Sequence, residues 1–145
     1  MATWTVAPTG GDYSSIADAV SNPNTQNEDI IQISPGTYNP TGTIGRADLL
    51  TLTISGTNED ATSVIIQADN VGATVISASS NMSASGWVMK NFSIHNANVG
   101  GGNGVFNMGV SSSAENIIIS GTSWNGFDKI MSGVEILDRD WETYC

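Results

Sequence analysis

The side chains best suited to chemistry in this chain are few and far apart. Glycoside hydrolysis needs two carboxylates about 5–10 Å apart across a sugar. The nearest pairs in sequence are Glu59-Asp60 and a C-terminal cluster of Glu135, Asp138, Asp140 and Glu142 around Arg139. Glu59 and Asp60 fall between two apolar runs, the place of a solvated turn. If the C-terminal segment is extended, alternation turns Asp138 and Asp140 to one face and Arg139 to the other, and the cluster reads as a polar C-terminus. The one histidine, His95, follows Ile94 and should point outward, as a surface side chain in a ladder with Ser55 and Ser120. One histidine and one cysteine, Cys145, cannot make a His/Cys metal site, and a lone terminal thiol leaves no internal disulfide. Residues 70–114 contain no Asp, Glu or Arg. Within them Gly100-Gly101-Gly102-Asn103-Gly104 lacks the spacing of a dinucleotide fingerprint. Gly104-Val105-Phe106-Asn107-Met108-Gly109 is followed by Val110 and Ser111, where a phosphate loop needs its lysine. No catalytic, cofactor-binding or metal-binding residue is assigned, and the chain is expected not to be an enzyme.

Composition narrows the partners. Fourteen acidic residues against four basic ones give a net charge of −10 over 145 residues. The basic residues Arg46, Lys90, Lys129 and Arg139 are scattered, whereas nucleic-acid binding needs them clustered. No apolar stretch approaches the roughly 20 residues that span a bilayer, and the start lacks the basic and apolar regions of a signal peptide, so a protein made in a cytoplasm is expected. Asn81-Met82-Ser83 and Asn91-Phe92-Ser93 match the glycosylation sequon and are read as chance matches. The length fits one domain over residues 1–145 with a sizeable core.

What must position any functional side chain is a repeat. Short runs rich in β-branched residues recur between Gly, Asn, Ser and Pro: Ile30–Ile33, Leu50–Ile54, Val64–Ile66, Thr74–Ile76, Phe92–Ile94, Ile117–Ile119 and Val134–Leu137. Ile-Ser closes four of them, and Ile33, Ile54, Ile76, Ile94, Ile119 and Ile136 are spaced by 21, 22, 18, 25 and 17. A loose period near 20 is that of a solenoid whose turns vary in loop length. It is too short for a helix in every turn. A hairpin-built sandwich would show Asn-Gly turns between its strands, but Asn103-Gly104 and Asn125-Gly126 both lie in loop-like stretches. The expected fold is all-β, a parallel β-helix of about six turns over residues 28–138, with Ile stacked inside and Ser and Thr outside. Asn91 and Asn116, aligned at an offset of 25, should form a side-chain ladder at a bend. Ser15-x-x-Asp18 with Ile16, Ala19 and Val20 at helical spacing predicts a short capping helix over residues 13–21, stopped by Asn22-Pro23. Residues 139–145 would be a C-terminal cap or tail.

Gly11-Asp12-Tyr13-Ser14-Ser15-Ile16-Ala17-Asp18-Ala19-Val20, followed by Asp29-Ile30-Ile31-Gln32-Ile33-Ser34-Pro35-Gly36-Thr37-Tyr38, resembles the opening of pectin-lyase-like right-handed β-helix proteins, pectin methylesterases in particular. Leu52–Gly56 followed by Ser63–Ile66 is similar to that family's next turn. The resemblance implies a right-handed solenoid with an N-terminal lid helix. It implies no activity: the acidic calcium cluster with an Arg base, the paired Asp residues with Gly-His-Gly, and the two Asp residues with an Arg on central turns are the patterns of the active members, and none is found here.

Two readings of function remain open. One is a structural protein of a virus particle, a bacteriophage capsid decoration (cement) protein. It would be a homotrimer located in the virion, with Trp124, Phe127, Trp141 and Tyr144 as its candidate interface. The other is a glycan-binding module or a trimmed polysaccharide lyase or esterase, with Trp87 or Trp124 as a platform for a sugar ring.

Overall fold

The architecture comes from a computed structural model, which describes residues 1–46, 48–49, 51–68, 75–77, 86–95, 106–107, 113–120 and 134–136. The described chain is a mostly β, parallel solenoid with one α-helix. Its strands in order are β1 (Thr3–Val6), β2 (Ile30–Ile33), β3 (Gly36–Tyr38), β4 (Ile44–Gly45), β5 (Thr51–Gly56), β6 (Val64–Gln67), β7 (Ile76–Ser77), β8 (Gly86–His95), β9 (Phe106–Asn107), β10 (Ser113–Ser120) and β11 (Val134–Ile136). The helix, α1, is Ile16–Ser21.

Every strand pair is parallel, as stacked turns require, and three faces result. The first stacks β1-β2-β5-β8-β10-β11. The second stacks β3 on β6 and β6 on the latter half of β8. The third stacks β4-β7-β9, so about three turns carry all three faces. Alternation sends every second side chain inward, and the inward rows are apolar. Ile31, Ile54, Met89 and Ala114 lie in register on the first face, and Tyr38, Ile66 and Ile94 on the second. Twelve of the largest buried side chains, from Ile31 to Ile117, are less than 2% exposed. At roughly 1.5–3 kcal/mol for each large apolar side chain withdrawn from water, this column is the main source of cohesion.

The predicted strands stand where the β-branched runs are, but the predicted register does not. Ile31, not Ile33, pairs with Ile54, and Ile33 faces Gly56. Ile76 belongs to the third face, between Ile44 and Phe106. Only Ile94, Ile119 and Ile136 share a register as expected. A turn with three inward faces needs an Ile on each, so recurring Ile-Ser pairs do not all mark the same face. The true spacing between stacked residues is also wider and more variable: 27 from Thr3 to Ile30, 23 from Ile30 to Thr53, 35 from Thr51 to Gly86 and 25 from Val88 to Ser113.

The helix begins later than residue 13. Ser15 is its extended N-cap and accepts a hydrogen bond from the Asp18 N–H at 3.3 Å, while Tyr13 is already extended and bridges Val6. Ile16, Ala19 and Val20 are buried, and the helix packs on β1, β2 and β4. Its C-terminal end is held from outside. Arg46 Nη1 bonds the carbonyls of Asn22 and Thr25 at 2.5 and 2.9 Å, and its Nε bonds Asp48 at 2.7 Å. The buried Thr25 hydroxyl donates to the Ala19 carbonyl at 2.6 Å.

Candidate functional site

The outward side of the first face carries registered rows of mostly polar side chains. Registered pairing lines up Thr5, Gln32, Ser55, Lys90 and Glu115 in one row, and Thr3, Ile30, Thr53, Val88 and Ser113 in the next. Neighbouring strands fix the spacing along each row at about 4.8 Å, and the two rows lie roughly 7 Å apart. Thr3, Ser113 and Glu115 are exposed, and the others are half-buried except Ser55, which is buried and donates to the Gly56 carbonyl at 3.0 Å. Lys90 and Glu115 place opposite charges on adjacent strands, a favourable cross-strand pairing.

At one border of this face the wall turns a corner. β5 ends there and the chain loops out through residues 57–60, whereas β8 and β10 pass straight through, each with a single left-handed residue. Asn91 has φ 63° and Asn116 φ 54°, values that Asn tolerates better than most residues because its short amide bonds locally. Their amides form the expected ladder: Asn116 Nδ2 donates to Asn91 Oδ1 at 3.0 Å and to the Glu59 carbonyl at 2.5 Å. Beside it, Ser93 Oγ donates to the Ala61 carbonyl at 2.7 Å, fixing the loop to the wall. Glu59, Lys90, Asn91, Glu115 and Asn116 line an open groove of about 350 Å³. With the amides engaged in the ladder, the Lys90 ammonium group and the Glu59 and Glu115 carboxylates are the charged groups that line it for a polar ligand.

The corner makes a graded prediction. Asn116→Gly keeps the left-handed backbone and removes the ladder, costing about 1 kcal/mol. Asn116→Ala adds the steric cost of a Cβ at positive φ, for a total of about 2 kcal/mol. Urea unfolding of the two variants checks this, and an alanine variant no weaker than the glycine one would refute the backbone argument.

The sequence candidates separate. His95 is half-buried on an outward position of the second face and opposite Ser120, as expected, but its other neighbour is Gln67. Gln67 Nε2 lies 2.8 Å from His95 Nδ1, and Ser55 pairs with Lys90 instead. Asp60 is a capping residue: its Oδ1 accepts from the Thr62 N–H and hydroxyl at 2.9 and 2.6 Å, and those bonds hold its carboxyl below the usual range. Glu59 lies in the groove, where Glu115 is the only second carboxylate among the described lining residues. Trp87 is no platform. It is fully buried, with its indole N–H donating to the Leu49 carbonyl at 2.9 Å, because its strand position points inward. The Asn91 sequon is spent on the ladder and on a 3.5 Å contact with the Gly56 carbonyl. Glu135 is known only by its backbone register, opposite Ile118. Trp124, Phe127, Trp141, Tyr144, Asn81, Gly100–Gly104, Asp138, Arg139, Asp140, Glu142 and Cys145 lie outside the described residues.

Sequence reasoning passed over Asp29. It is 3% exposed, yet its carboxylate accepts from the Ala2 N–H at 2.7 Å, the Gln26 N–H at 2.9 Å and the Trp4 indole at 3.0 Å. Only its place just before a strand could have hinted at this role. Among the described residues no three His, Cys, Asp or Glu side chains come together as metal ligands, and no helix is long and apolar enough to cross a membrane. No protein-family model matches the chain, and neither a curated protein nor a solved structure is significantly similar to it.

Proposed function

We propose that the chain is a non-enzymatic structural protein of a virus particle, a bacteriophage capsid decoration (cement) protein that acts through its shape and subunit contacts. The observation that carries this reading is the registered outward face of β1, β2, β5, β8 and β10. Side chains on a paired sheet are already ordered, so docking them against another protein costs less conformational entropy than ordering loops would. A net charge of −10 favours a partner surface of positive potential. The virus-particle assignment follows the analogy with the solenoids of spikes and decoration proteins. The same reading takes the solenoid as right-handed and pectin-lyase-like. It counts about six turns from the six-strand stack, assigns α1 as a lid over the first turn, and makes the molecule a homotrimer on the virion surface.

One observation favours a second reading. The polar groove at the Asn corner fits a glycan-binding module, without the aromatic stacking that Trp87 would have provided. Light scattering of the purified protein decides between them. A stable trimer of about 45 kDa, three times the 15.1 kDa chain, with no retention on immobilised acidic polysaccharides, is the result expected of the decoration protein. A monomer retained on a polysaccharide, or one releasing products from it with or without calcium, overturns that reading in favour of the second.

A further inference from the structure

We propose that residues 7–13 are a built-in stop that keeps the outer edge of β1 from pairing with a second copy of this chain. β1 is the terminal strand of its sheet, and such an edge offers unpaired N–H and C=O groups to any strand that arrives. On the inner side, the Ala2 and Val6 carbonyls accept from the Ile30 and Ser34 N–H groups at 2.8 Å. Alternation then turns the main-chain groups of Thr5 and Ala7 outward, toward the position of a preceding turn.

Three of those groups, the Thr5 N–H and C=O and the Ala7 N–H, are already occupied. The Thr5 N–H donates to Asp12 Oδ2 at 2.9 Å, the Thr5 carbonyl accepts from the Tyr13 N–H at 3.0 Å, and the Ala7 N–H donates to the Tyr13 carbonyl at 3.0 Å. The side chains lock the same contact, because the Asp12 N–H donates to Thr5 Oγ1 at 3.0 Å and Oγ1 donates back to Asp12 Oδ2 at 3.1 Å. Gly10, at φ 80°, turns the chain back. Gly11 lets it come this close, since a Cβ there would lie 2.9 Å from the Ala7 nitrogen and 3.1 Å from the Thr5 oxygen. The Tyr13 ring meets Trp4 edge-on at 6.1 Å and anchors the far end of the strap. A strand from a second copy must displace all of this and bury the Asp12 carboxylate without a partner charge, which is unfavourable. The stop therefore confines self-association to surfaces other than this edge, whatever the protein's function.

Amide hydrogen exchange and concentration-dependent light scattering test the stop on the full chain. In the wild type the Thr5 and Ala7 amides exchange as slowly as those of β2. Asp12→Ala and Thr5→Val speed exchange at Thr5 at least tenfold, and the mass of both variants climbs above that of the wild type as concentration rises. Asp12→Asn keeps one acceptor oxygen and stays at the wild-type mass. Thr5→Val retains the main chain and carries the test if Asp12→Ala does not fold. Fast exchange at Thr5 and Ala7 in the wild type overturns the proposal. So does a Thr5→Val variant with a freed edge whose mass stays at the wild-type value across a tenfold concentration range.

Discussion

Replacing Gly56 by alanine is expected to cost about 4 kcal/mol and to lower the melting temperature by roughly 10 °C. A Cβ on Gly56 would sit 2.0 Å from the carbonyl oxygen of Asn91 and 3.3 Å from Val64 Cγ2. No flexible side chain can yield there, because the nearer atom is backbone. Nor can the Asn91 carbonyl rotate away cheaply. Its residue is held at positive φ, and its side chain is tied into the ladder with Asn116. Gly56 is also pinned from the other side by its pairing with Ile33 on β2. The added methyl group must push β5 and β8 apart where their separation is set by the stack. Gly42→Ala is the matched control, for a Cβ there meets nothing within 4 Å, so a change within about 1 kcal/mol of the wild type is expected. Thermal melts of both variants check the pair, and a Gly56→Ala protein that melts within 2–3 °C of the wild type by this estimate refutes the argument.

The same corner shows what a sequence can and cannot disclose about a solenoid. Strands were legible because β-branched runs separated by turn residues have a local cause, and β2 and β6 start at the residues those runs mark. The Asn ladder was legible because two similar segments, around Asn91 and Asn116, differ by one turn. Register was not. Which of three faces a strand occupies depends on loop lengths, and the spacing from β5 to β8 is 35 residues where that from β2 to β5 is 23. The part played by Gly56 follows from the layer above it, 35 residues later in the chain, so no local pattern marks it. Trp87 offered an aromatic ring to either a ligand or the core, and only its inward strand position decides for the core. The flat outward face was implied by alternation, but its composition by row depended on the register and could not be read beforehand.

Asp29 carries the other large expected effect, and it depends on pH. Burial by itself would raise its carboxyl, but the N–H of Gln26, the indole of Trp4 and the N–H of Ala2 outweigh burial and hold it below the usual carboxylate range. A group whose folded value lies below its unfolded one stabilises the fold above the unfolded value, roughly pH 4, and loses that contribution as pH falls through the folded value. Asp29→Ala leaves three donors without their acceptor and is expected to cost about 3 kcal/mol at pH 7. Asp29→Asn is no close substitute. Oδ1 and Oδ2 both receive N–H groups, so either orientation of an amide turns its own NH₂ toward a donor. Acid unfolding of the wild type alone would not isolate this residue, since Asp48 beside Arg46 and Asp60 beside Thr62 are also held low. The difference between wild type and Asp29→Asn does isolate it. That difference should be full at pH 7 and shrink steadily below pH 4 by this linkage, as the wild-type carboxylate takes up the proton that makes it equivalent to a neutral side chain. A difference that stays constant from pH 7 to about pH 2 would show that Asp29 holds β1 by shape and not by charge.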